Sequence, residues 1–299
     1  MDLSLTNVYK ERLIGKGFFQ SVGIGPRSAL NGDQRMSVAG QLEIVVCRDA
    51  AALAANIADR IVAAAHAAIA QRQRFTLVLS GGSTPERTFK LLATPPRRDQ
   101  IDWSRTWLFF GDDRCVPHDD PRSNYNLANQ SLLSPAGIAP DHVLAVPTDS
   151  LTPEQSAAAY ESMLRNFFDI APPADQSANR NFPSFDLILL GLGDDGHTAS
   201  LFPGKPSLNE QNVWVTWSPP GVLPPPVDRV TFTFPLINAA REAMFLVSGP
   251  AKATIVHQVL DESPNVQKHP SSGVQPAGGK LTWMLDEPAA SLLKRKTTT

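Results

Sequence analysis

From Leu42 onward the chain alternates short β-branched or apolar runs with longer alanine-rich or amphipathic ones. Continuous apolar runs suit strands buried on both faces, and amphipathic segments between them suit crossover helices. The pattern therefore predicts one α/β domain over residues 41–299, with a mostly parallel open sheet and helices on both faces. Strands are expected at Leu42–Cys47, Phe75–Ser80, Thr106–Phe110, Val143–Val146, Asp186–Leu190, Val213–Trp217, Arg229–Phe234 and Ala243–Ser248. Helices are expected from the Asp49 cap toward Arg72 and at Pro85–Ala93, Asn124–Leu133, Pro153–Phe168 and Pro250–Leu260.

Residues 1–40 are rich in Gly, Ser and Arg without a sustained period and read as a flexible extension. The proline-rich stretches 171–183 and 218–226 read as long surface loops, because neither side holds a self-contained set of strands and helices. With 27 basic and 29 acidic residues the net charge is −2, which gives no global field for nucleic acid. The only two cysteines, Cys47 and Cys115, form no C-x-x-C pair, which suits a reducing compartment. No basic start followed by an apolar run suggests export, and Ile61–Ala70 is too short to span a bilayer. The expectation is a cytoplasmic protein without a membrane anchor, as a monomer or small homo-oligomer.

In open α/β sheets ligands gather at the carboxyl ends of strands, and four segments there hold possible chemistry. Ser80-Gly81-Gly82-Ser83-Thr84-Pro85 puts small residues before a helix start, an anion cradle or simply a tight strand-to-helix turn. Gly111-Asp112-Asp113-Arg114-Cys115-Val116-Pro117 gathers charges after an apolar strand, either to orient a partner or as a solvated loop with a salt bridge. Gly191 to Gly204 joins an apolar strand to an acidic loop holding Asp195 and His197, a pair suited to proton transfer near neutral pH; the plainer reading is a histidine capping a turn. Arg229 and Lys252 are cations near strand ends that can close on a phosphate or stay solvated.

Gly191-x-Gly193-x-x-Gly196 matches the dinucleotide fingerprint, but Asp194 and Asp195 would lie against the pyrophosphate, and Pro203 and Pro206 leave no room for the helix. There is no G-x-S-x-G elbow, no H-E-x-x-H and no histidine spacing for a metal, so neither cofactor nor metal is expected.

Taken in order, the Ser-Gly-Gly-Ser-Thr-Pro loop, Gly-Asp-Asp-Arg-Cys-Val-Pro with Ser123-Asn124-Tyr125-Asn126, and Gly-Leu-Gly-Asp-Asp-Gly-His-Thr-Ala-Ser-Leu-Phe-Pro-Gly resemble the 6-phosphogluconolactonase family. The resemblance runs through Arg229–Thr233 and Ser248–Ala253 to Gly279–Trp283, roughly residues 42–293. Asp113 and Asp194 stand where that family often has glutamate. The resemblance implies a Rossmann-like fold of the sugar-phosphate isomerase type and hydrolysis of 6-phosphoglucono-1,5-lactone to 6-phosphogluconate in the oxidative pentose phosphate pathway.

On that basis Gly81, Gly82, Ser83, Thr84, Arg229 and Lys252 are expected to hold the phosphate. His197 with Asp195 would activate water, Asp112 would join the catalytic group, and Arg114 or loop N–H groups would meet the oxyanion. A deaminase or isomerase of amino sugar phosphates and a catalytically silent sugar-phosphate sensor are the rival readings. The Arg114–Pro117 and Thr198–Pro203 surroundings resemble the lactonase version, and retention of both Asp195 and His197 counts against the sensor.

Overall fold

The computed structural model describes residues 41–172, 181–220 and 226–294. The extension expected over residues 1–40 lies outside the described residues, as do the central parts of the two expected surface loops.

Five strands follow the apolar runs: β1 (Gln41–Cys47), β2 (Phe75–Leu79), β3 (Thr106–Phe110), β6 (Leu187–Leu190) and β9 (Glu242–Val247). The other strands are β4 (Asp112–Arg114), β5 (Val143–Leu144), β7 (Val215–Ser218), β8 (Arg229–Phe232) and β10 (Lys280–Asp286). Seven of them form a wholly parallel sheet in the order β1-β10-β9-β6-β2-β3-β5. Every residue of β2 and β6 is buried, so both faces of the sheet centre are covered.

From β2 the chain builds outward to β3 and β5, then returns to β6 on the other side of β2 and adds β9 and β10. Connections therefore diverge between β2 and β6, and the crevice at their carboxyl ends is where this architecture opens a binding site.

Helix α1 (Ala50–Arg72) starts at Asp49, whose side chain accepts from Ala51 N and Ala52 N. By length and composition α1 is apolar enough to cross a membrane. Its apolar face, including Leu53, Ile57, Ile61 and Ala65, is buried in the protein core instead. Helix α2 (Ser83–Leu92) begins two residues earlier than expected, so Ser83 and Thr84 belong to its first turn.

The expected strands near 213–217 and 229–234 are present, but they lie in a separate antiparallel sheet of order β4-β8-β7. Gly111 is the junction. Its N–H donates to Leu79 O of β2 at 3.2 Å, while its carbonyl accepts from Phe232 N of β8 at 2.8 Å. Behind this junction the buried Tyr160 hydroxyl accepts from Phe110 N at 2.9 Å and lies 3.1 Å from Phe110 O. The main sheet thus delivers β3 directly into the second sheet.

Away from the crevice, Glu43 on β1 receives both guanidinium arms of Arg60 at 3.0 Å and the Lys280 ammonium at 2.6 Å. The Arg60 hydrogen bonds, with Lys280 behind them, hold its carboxyl down at about 2 despite opposing burial. A depressed folded value stabilises the protein above the ordinary carboxylate pKa and is lost as pH falls through the folded value. Denaturant titrations from about pH 5 to about pH 2 should therefore show the parent losing more stability than Glu43→Gln. Parallel curves would remove this ion cluster from the acid response.

Candidate active site

Beyond Leu190 the buried β6 strand gives way to a tight loop that closes when Gly193 N donates to His197 O at 2.9 Å. Asp195 Oδ1 accepts from His197 N at 3.0 Å and meets His197 Nδ1 at 2.5 Å. That contact puts the imidazole proton on Nδ1 and leaves Nε2 with a free lone pair. Burial opposes ionisation of Asp195, but the hydrogen bond and charge of His197 outweigh it and keep the carboxyl below its ordinary range. Two glycines make this possible. Gly196 has φ +81°, and a Cβ on Gly193 would lie 2.0 Å from His197 Nδ1.

The turn after the histidine is held just as closely. Thr198 Oγ1 donates to Gly191 O at 2.9 Å, and Ala199 has φ +48°, a strained value for a residue with a Cβ. Ser200 is fully buried; its N–H donates to Thr231 Oγ1 at 3.1 Å and its hydroxyl to Asp112 Oδ2 at 2.6 Å. Phe202 lies 4.6 Å from the His197 ring by centroid and 5.4 Å from the Arg229 guanidinium carbon. One aromatic side chain therefore lies against both the histidine and a cation.

The acidic segment expected as a loop is strand β4, paired with β8 so that Asp112 faces Thr231 and Arg114 faces Arg229. Its two carboxylates have different tasks. Asp113, fully buried, accepts from Arg114 N and Asn124 N, each at 2.7 Å, and from Tyr125 N at 3.0 Å, so it fixes the start of the 124–128 helix. Burial raises its pKa, and those three N–H groups pull the other way. Asp112 instead reaches the histidine loop through Ser200.

Directly opposed guanidiniums repel. Both Arg114 Nε and Arg229 Nε are buried without a hydrogen-bond partner, although Arg114 Nη1 donates to Arg122 O. Burial, with the Arg114 charge adding to it, lowers the pKa of Arg229. Two neighbouring cations, each with a buried Nε left without a partner, make a place that suits an anion.

At the end of β2, Gly82 caps α2 with φ 110° and no side chain satisfies the helix start. Gly81 is pressed against Asn124, whose Oδ1 would be 2.0 Å from a Cβ there. Asn124 Nδ2 donates to Asp112 O at 2.9 Å, so this buried amide joins the β2 loop to β4. Lys252 donates to Leu192 O at 2.7 Å and pairs with Asp194 at 2.5 Å. Buried Asp286 orients the segment leading to Lys252 by accepting from Ser248 Oγ and Gly249 N.

The structure thus places Asp195 and His197 on one loop, ties Lys252 to that loop at Leu192 and Asp194, and links Asp112 to it through Ser200. Arg114 and Arg229 form one pair. Among the described residues, no hydrogen bond or ion pair joins Gly81, Gly82, Ser83 or Thr84 to Arg229 or Lys252. Cys115 offers no ready nucleophile, because burial, with Asp228 nearby, pushes its thiol up to about 12. Among the described residues no group of three His, Cys, Asp or Glu converges as a metal site.

The family described as glucosamine-6-phosphate isomerases/6-phosphogluconolactonase has a model that matches residues 48–283. The chain belongs to this family. A probable 6-phosphogluconolactonase of Arabidopsis thaliana is 37% identical over 256 residues, covering 85% of this chain and 94% of the relative. A 6-phosphogluconolactonase of Nostoc sp. is 38% identical over 250 residues, covering 84% and 98%. Among solved structures, the 6-phosphogluconolactonase of Trypanosoma cruzi superposes with a TM-score of 0.75 at 30% identity, covering 87% of this chain and 100% of that one. The residues matched by the family model take in β2, β3, β5, β6 and β9 of the parallel sheet and all four candidate segments.

Proposed function

We propose that this chain hydrolyses 6-phospho-D-glucono-1,5-lactone to 6-phospho-D-gluconate, in the oxidative pentose phosphate pathway, through water activated by His197. The observation that carries the mechanism is the contact of Asp195 Oδ1 with His197 Nδ1, which frees Nε2 to act as a base. The named relatives support the substrate.

His197 Nε2 takes a proton from water as the water oxygen bonds to the lactone carbonyl carbon. The carbonyl becomes an oxyanion. When it collapses, the bond to the ring oxygen breaks, and that oxygen takes the proton from His197, leaving an open-chain acid. Asp195 holds the imidazolium formed between the two steps. Water is the only co-reactant.

The phosphate is assigned to the Arg114–Arg229 pair, with Lys252 and the start of α2. Since the two arginines face each other, Arg114 serves the phosphate beside Arg229, and loop N–H groups remain for the oxyanion. Anchoring the far end of the sugar fixes the carbonyl against His197, where much of the rate gain arises.

The deciding assay is acid release from freshly generated lactone against an enzyme-free blank, with ammonia release from glucosamine 6-phosphate as the control. A rate equal to the blank from folded protein rejects the reading, and ammonia release replaces it with a deaminase. Lys252→Met should raise KM roughly 10-fold or more with a smaller change in kcat, since a charge-assisted contact to substrate is lost. An unchanged KM would take Lys252 out of the phosphate site.

A further inference from the structure

We infer that Ser200 is a positioning residue for His197, tethering the strained turn after the histidine to one rung of the β4–β8 ribbon while the next rung but one presents the cations. The inference rests on the proposed role of His197.

The turn meets the ribbon at two alternate rungs, with the Asp113–Val230 rung between them. Ser200 engages the Asp112–Thr231 rung with both its N–H and its hydroxyl. Phe202 lies on Arg229, which belongs to the Arg114–Arg229 rung. Residues two apart on a strand share a face, so Asp112 and Arg114, and likewise Thr231 and Arg229, point to the same side. Two residues of strand span about 7 Å. The ribbon therefore sets the spacing between the turn that carries the base and the pair of guanidiniums that awaits an anion.

Ala199 shows why a tether is needed. Its positive φ is held against the preference of an L-residue, and Ser200 on its C-terminal side supplies two bonds to a fixed sheet. Asp112 is already held on the other side by Asn124 Nδ2, 3.3 Å from its Oδ1, so it does not follow Ser200 if the turn moves. Without the hydroxyl, the turn is free to relax and carries His197 away from the reacting water.

The test is Ser200→Ala, with steady-state kinetics on the lactone and ring-nitrogen NMR of His197 in the full-length protein. Expected is a fall in kcat of about 10- to 100-fold, as for displacement of a catalytic group by about 1 Å, with KM within about twofold. The imidazole signals should move from a single Nδ1–H form toward exchange averaging. Parent-like kcat and a parent-like imidazole spectrum overturn the inference, as does an equal loss in kcat and KM with unchanged ring signals. If Ser200→Ala does not fold, Thr231→Val removes the other bond with nearly the same volume and is read by the same criteria. A parent protein without lactonase activity whose imidazole signals still shift in Ser200→Ala rejects the proposed reaction and retains the tether.

Discussion

Replacing His197 with alanine is expected to lower kcat on the lactone by about 10²- to 10⁴-fold, the range contributed by a positioned acid–base group. KM should change little, because the proposed phosphate contacts lie on β4 and β8, at the start of α2 and at Lys252. The paired carboxylate sharpens the expectation. In the proposed reaction the one imidazole, its Nδ1 proton held by Asp195, is first the base and then the acid for the ring oxygen, so the variant loses both roles at once. Stopped-flow or pH-stat rates over the blank check it, and added imidazole should restore part of the loss. Turnover within a few-fold of the parent would remove His197 from the chemistry and leave Asp195 as a turn cap.

Gly193→Ala should be nearly as damaging, although it deletes none of the side chains proposed for the chemistry. The added methyl would lie 2.0 Å from His197 Nδ1 and 2.2 Å from Cε1. The ring has little room to yield, with Asp195 on its Nδ1 and Phe202 against it. The backbone of Gly193 lies outside the positive-φ region, so the penalty is collision and not a forbidden conformation. A displaced imidazole should cost about 100-fold in kcat. Crystals or imidazole NMR of the variant should show the ring turned away from Asp195. Parent-like rates would mean the loop opens without cost and that its tightness is irrelevant to turnover.

The interior of the parallel sheet was legible because β2, β6 and β9 are short apolar runs that satisfy burial on both faces. Two strands were not. β4 reads Asp112-Asp113-Arg114 and carries no apolar residue; it is a strand because Thr231 and Arg229 lie opposite, far along the chain. β10, Lys280–Asp286, begins and ends in charged residues, and its sequence stands out only through the Gly279–Trp283 motif; it lies between β1 and β9.

The same contrast holds at the site. His197 and Asp195 are two residues apart, so sequence spacing alone suggests their contact. Ser200 and Asp112 are 88 residues apart, and Asp286 meets Ser248 across 38, so neither link can be inferred from local pattern. Asn124 stands in the Ser-Asn-Tyr-Asn motif, but its task, packing against Gly81 and bonding Asp112, depends on contacts that the motif does not show. Arg114 and Arg229 are 115 residues apart, and only the register of β4 on β8 places them together.

The position of β1 bears on how such a chain is made. Among the described residues its only neighbour within the sheet is β10, so Gln41–Cys47, the first described strand to leave a ribosome, waits for Lys280–Asp286, the last of them. Until then Ile44 and Val45 belong to an unpaired apolar edge of the kind that associates between molecules. A nascent chain stalled before residue 280 therefore carries two open edges, on β1 and on β9, and its yield in the cell depends on how fast translation reaches the end and on what shields those edges meanwhile.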